Sequence, residues 1–158
     1  MDSYELTLDP SEVMFARSIA ALRTGINRIN NVVNPKFKES DDFQNDLLGV
    51  CGEMVFAKRF NVYMDLTFKP RSGGHDFTMN SGKTVDVKTT DLDQGRLIVP
   101  EWKAKKGKSD IYVLVTGQIP TFTIRGYATA DEVFNSVIDL GYGPCFGLQQ
   151  DQLHDFRN

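Results

Sequence analysis

Apolar positions in this chain fall at helical spacing twice, then give way to short runs of β-branched and aromatic residues. Asp9-Pro10-Ser11-Glu12 reads as a helix start: Asp9 can cap, Pro10 suits the first helical position and Glu12 completes a capping box. Val13, Ala16, Ile19, Ala20, Leu22 and Ile26 then follow a helical period, and the helix should end near Asn30–Asn34, before Pro35. A second helix is expected from Phe43 to Phe60, capped by Asp41 or Asp42 and stopped at Asn61, with Leu47, Leu48, Cys51, Met54, Val55 and Phe56 as its apolar faces. Strands are expected at Val62–Phe68, Asp76–Met79, Thr84–Thr90, Arg96–Val99, Ile111–Thr116 and Thr121–Tyr127. A helix over Ala130–Leu140 with Gly141 as its C-cap follows, then a short strand at Pro144–Leu148 with Leu153–Phe156 packed behind it. Helices on either side of a run of strands imply an α/β fold, a mixed sheet with helices on its faces.

Composition narrows the class without naming a chemistry. A chain of 158 residues, 41% hydrophobic and 11% aromatic, is sized for a single domain with a real core. No apolar run approaches the ~18 residues that span a bilayer, and Met1-Asp2-Ser3-Tyr4-Glu5 lacks the features of a signal peptide. Cys51 and Cys145 match no metal or redox spacing and read as small buried hydrophobes of a cytoplasmic protein. The net charge of −3 does not resemble that of a strongly basic, non-specific nucleic-acid binder. It leaves room for a local basic patch at Lys103, Lys105, Lys106 and Lys108, which alone reads as a solvated loop.

The distinctive chemistry lies between Gly73 and Thr90. Asn80-Ser81-Gly82 fits a three-residue hairpin loop with Gly82 in the left-handed position. That loop sets Met79 opposite Lys83 and Asp76 opposite Asp86, with facing β-carbons roughly 4.5–5.5 Å apart. Lys88 projects from the same face as Asp86, while Val85 and Val87 point the other way. A two-residue Ser81-Gly82 loop would instead split the carboxylates across faces. Upstream, Gly49, Gly52, Glu53 and Phe56 share one helical stripe. Two glycines inside a helix cost roughly 1 kcal/mol each, which suggests a close backbone approach that would aim Glu53 at the hairpin acids. Alternatively, Glu53 is an ordinary exposed helix residue. Acids gathered beside a lysine repel one another, and a hydrated Mg²⁺ would relieve that repulsion and activate a water for phosphodiester hydrolysis. Lys88 would orient that water and stabilise charge on the phosphorane.

These four residues, in this order, resemble the PD-(D/E)XK nuclease superfamily, which includes many restriction endonucleases, and the Gly49-x-x-Gly52-Glu53 and Val85–Thr90 segments look like small phage-encoded members. Glu53 matches the family's helix glutamate, Asp76 its first acid, Asp86 its second and Lys88 its lysine, over roughly Leu47 to Tyr127. His75 stands where the family's usual proline would be, and Thr89-Thr90 follow the lysine where a glutamine or lysine is frequent. The resemblance implies a restriction endonuclease-like αβββαβ core, a central mixed sheet flanked by helices, here with an extra N-terminal helix. It implies Mg²⁺, with Mn²⁺ able to substitute, held by Glu53, Asp76, Asp86 and the backbone carbonyl of Val87. It implies DNA as the partner and an endonuclease ahead of an exonuclease; cutting both strands would call for a homodimer.

Arg71, His75, Thr89, Thr90, Trp102, Lys103, Lys105 and Lys106 are the candidate nucleic-acid contacts. His75 reads equally as a turn residue, and Trp102 either stacks on an exposed base or covers a core edge. The alternative function is a catalytically inactive module of the same fold that binds nucleic acid or a protein. A metal-free hydrolase using His75 or His154 lacks a recognisable Ser or Cys nucleophile motif.

Overall fold

The computed structural model describes residues 4–30, 41–67 and 74–157. Its elements are β1 (Tyr4–Thr7), α1 (Pro10–Ile29), α2 (Asp42–Phe60), β2 (Phe77–Thr78), β3 (Thr84–Thr90), β4 (Leu97–Pro100), α3 (Lys103–Lys106), β5 (Ile111–Gln118), β6 (Thr121–Thr129), α4 (Ala130–Phe134), β7 (Val137–Asp139) and β8 (Pro144–Leu148), with a 3₁₀ turn at Gln150–Gln152. Five strands form a mixed sheet in the order β1-β6-β5-β3-β2, in which only β3 and β5 run parallel. A smaller antiparallel sheet has the order β4-β8-β7. No helix among the described residues is long and apolar enough to cross a membrane.

The two helices start and stop where their chemistry directs. The Asp9 N–H donates to the Glu12 carboxylate at 2.7 Å, and Pro10 opens α1. Asp41 accepts from the Phe43 N–H at 3.0 Å, and Asn61 ends α2 in the left-handed conformation. The expected stop of α1 extends past Asn30 into residues 31–40, which lie outside the described residues.

Side-chain alternation on β3 and β5 sorts the core into two clusters. Val85, Val87, Ile111, Val113 and Val115 pack against α1 and α2, with Leu47, Val50, Cys51, Val55 and Phe56 opposite them. Tyr112 and Leu114 point the other way, onto Leu97, Val99, Val133 and Leu148 of the small sheet and α4. The large sheet is therefore covered on both faces, as its parallel central pair requires. Cys51 and Cys145 are buried free thiols, and burial pushes Cys51 up to about 11.

Three expectations are corrected. Residues 62–67 form no strand; Asp65 accepts from both the Thr67 N–H and hydroxyl, at 2.9 and 2.8 Å, so a local side-chain turn takes the place of a ladder. Phe68, the last residue of that expected strand, lies outside the described residues. The helix expected over Ala130–Leu140 ends at Phe134, with Asn135 rather than Gly141 at its C-cap. β-Branched Val137 and Ile138 pair instead with Phe146 and Cys145, across a turn in which Gly141 and Gly143 both hold positive φ. Leu22 does not join the core but is 50% exposed.

Candidate active site

The hairpin register agrees with the loop chemistry. Phe77 pairs with Val85 and Thr78 with Thr84, Gly82 has φ +84°, and the Met79 N–H donates to the Lys83 carbonyl at 2.8 Å. At Asp76 the ladder ends: its N–H donates to the Val85 carbonyl at 2.8 Å, and its Oδ2 accepts from the Val87 N–H at 2.7 Å. The Asp76 carboxylate thus stands where a longer β2 would have continued along the edge of β3. The Val87 carbonyl lies on the same edge, because the N–H and C=O of one strand residue point the same way.

Asp86 and Lys88 project to the small-sheet side, level with Tyr112 and Leu114 of β5. Asp86 is 2% exposed and its two oxygens meet two lysines: Oδ1 contacts Lys88 Nζ, and Oδ2 lies 2.6 Å from Lys103 Nζ. Lys103, only 4% exposed, also donates to the Gly74 carbonyl at 2.7 Å. It thereby ties the approach to Asp76 onto β3.

On the helix side, Glu53 accepts a two-pronged hydrogen bond from Arg23 of α1, at 2.8 and 2.9 Å. The close approach expected of α2 occurs at Gly52, where an added Cβ would fall 1.9 Å from Thr89 Oγ1. It does not occur at Gly49, which has nothing within 4 Å.

The site therefore straddles the open edge of β3, with Asp76 between the two halves. Burial, then the charges of Glu53 and Asp86, raise the Asp76 carboxyl well above its ordinary range, against the pull of Lys88 and the Val87 N–H. Burial pulls Lys88 downward, but Asp86 and Asp76 outweigh it and hold the ammonium above its ordinary value. Lys88 is thus a charged donor at neutral pH rather than a base.

No group of three or more His, Cys, Asp and Glu forms a ready metal cage among the described residues; Arg23 pairs with Glu53, and Lys88 and Lys103 pair with Asp86. The donor chemistry nonetheless suits a hard cation: two carboxylates and a backbone carbonyl supply oxygen, and a cation would offset the burial and neighbouring charges that disfavour the ionised Asp76.

The structure brings together Glu53, Asp76, Asp86 and Lys88. Of the candidate nucleic-acid contacts, His75 is exposed with Nε2 3.2 Å from Thr78 Oγ1. Thr89 is turned toward Gly52, and Thr90 accepts from the Leu92 N–H at 3.3 Å within a turn. Trp102 leads into α3 with Lys103 Nζ 5.5 Å from its ring centre. Lys105 is exposed. Lys103 departs from the expected basic loop, being buried in the site. Arg71 and the side chain of Lys106 lie outside the described residues.

Arg23 and the role of Lys103 escaped the sequence reading. Arg23 did carry a signal: with buried Thr24 and Asn27 it continues the stripe of Ala16, Ile19 and Ala20, and polar groups on a core stripe need partners.

A protein-family profile matches residues 7–142. The chain belongs to DUF5843, a family of unknown function. The match takes in every member of the site, from Arg23 of α1 to Lys103 of α3, so the described geometry lies within the DUF5843 region. No curated protein matches the chain.

Proposed function

We propose that this DUF5843 protein is a metal-dependent nuclease with a restriction endonuclease-like core, hydrolysing phosphodiester bonds in DNA. The observation that carries the reading is the Asp76 carboxylate at the open edge of β3, flanked by Asp86 and Lys88 on one side and Glu53 on the other. The order of elements supports it: a glutamate helix, a hairpin carrying both acids, and a strand, β5, lying parallel to β3. The connection into β5 departs from an αβββαβ core, for it carries β4 and the short α3.

Asp76, Asp86 and the Val87 carbonyl would hold Mg²⁺, or Mn²⁺ in its place, with Glu53 beside them. The bound ion would lower the pKa of a coordinated water and offset charge on the phosphoryl oxygens. The remaining work falls to the chain itself. Lys88 stays protonated, so it can donate to the attacking water or to the growing negative charge. Arg23 fixes the Glu53 carboxylate through two bonds, which limits its rotation. Lys103 anchors Gly74, two residues before Asp76, and so holds the turn that delivers that acid.

One observation favours the second reading, an inactive module that binds nucleic acid or a protein: Asp86 is already satisfied by two lysines. Cleavage of plasmid, linear and single-stranded DNA in Mg²⁺ or Mn²⁺ separates the two. Wild type should cut, while Asp76→Asn and Lys88→Met should not. Equal activity in all three proteins would remove the catalytic assignment. Binding of DNA with no cutting, and no rise in Tm with Mn²⁺, would select the inactive module.

A further inference from the structure

A cleft of about 310 Å³ runs along the hairpin beside the site, lined by Tyr63, Asp65, His75, Asp76, Phe77 and Thr78. That volume sits at the lower end of the range for small-ligand pockets, roughly 300–1,000 Å³. Its walls are chemically mixed. Phe77 is buried in the helix-side core and gives a fixed apolar surface. Tyr63 is 78% exposed, a large ring held against solvent in a stretch with no regular secondary structure. His75 and Thr78 offer groups that can pair with a polar edge. Asp65 adds an acidic group to the lining, which disfavours a phosphate inside the cleft but not an uncharged aromatic ring.

Resting on the nuclease reading, we infer that this cleft takes an unstacked nucleobase of a single-stranded substrate against Tyr63, next to the phosphate presented at Asp76. In a duplex the bases are stacked and paired inward, so a base reaches such a cleft only after it is splayed out. A single strand presents its bases without that cost. Stacking on one aromatic side chain is worth enough to set the preference by itself, about tenfold in affinity.

The test measures binding of a fluorescein-labelled single-stranded 12-mer and of its duplex, in chelator, alongside cleavage of both in Mn²⁺. Wild type should prefer the single strand by about tenfold in both assays. Tyr63→Ala should bring the two substrates level, and Tyr63→Trp should keep the preference; the exposed position makes both variants structurally tolerable. A wild type that prefers duplex, or a Tyr63→Ala protein that keeps the single-strand preference, overturns the base pocket while leaving the nuclease standing. If wild type neither binds nor cuts either substrate, the nuclease reading falls and the base pocket with it.

Discussion

The two sides of β3 neutralise their acids in different ways. On the small-sheet side, Asp86 is fully buried and shared between Lys88 and Lys103. On the helix side, Glu53 faces one arginine that keeps part of its surface in solvent. Asp76, between them, has the Val87 N–H as its bond and two carboxylates as neighbours. The protein thus supplies its own countercharge for the outer two acids and leaves the middle one strained toward the protonated form. That asymmetry locates the place where an added cation changes most.

The largest break in this comparison should come from Asp86→Ala. It removes the Asp86 carboxylate from buried Lys103, and removing one partner of a buried pair costs about 3–5 kcal/mol. Arg23→Met strips the more solvent-accessible side and should cost about 1.5–3 kcal/mol, the worth of hydrogen bonds to a charged group. Urea unfolding of the two variants checks the order. Equal losses would mean the two sides are built alike.

The next contrast lies on one helix. Gly52→Ala drives a Cβ into Thr89, and overpacking of this kind costs about 1–3 kcal/mol. Gly49→Ala meets nothing and should stabilise α2 by up to about 1 kcal/mol. Adding Thr89→Ala should recover part of the Gly52→Ala loss and leave Gly49→Ala unchanged. Without that recovery, the contact with Thr89 is not what the glycine protects.

That pair of glycines also marks how far sequence reasoning reaches. Both looked alike on the stripe, yet only the packed structure tells which one a strand approaches. Local chemistry was legible wherever a few adjacent residues decide the outcome. Asn80-Ser81-Gly82 fixes the hairpin register, and with it the relation of Asp76 to Asp86 and Lys88. Asp9, Pro10 and Asp41 set where helices begin. Asp65 makes the side-chain turn at Thr67 inside a β-branched and aromatic run that reads as a strand. Val137-Ile138 reads as the tail of a helix because its strand partner, Phe146-Cys145, lies beyond the Gly141–Gly143 turn. Lys103 sat within a run of lysines, and nothing in that run singles out the one that enters the core. Its partner Asp86 and the Gly74 carbonyl are brought to it only by the crossover from β3 to β5.

The smallest shift in stability is expected from Asp76→Asn, and it tests the middle acid most directly. Asparagine can still accept from the Val87 N–H, so the edge of β3 keeps its bond. What changes is the charge. The Asp76 carboxyl is held above its unfolded value, so its favourable contribution is complete at pH below the unfolded carboxyl pKa of about 4 and is lost as pH rises through the folded value. The variant should therefore gain on wild type as the buffer moves from acid to neutral, read as a growing difference in Tm. Mg²⁺ should reverse that trend, since a cation that binds the ionised carboxylate stabilises the folded wild type and leaves the variant untouched. A difference in Tm that grows with pH but ignores Mg²⁺ would keep the electrostatics of the β3 edge and remove Asp76 from the metal site.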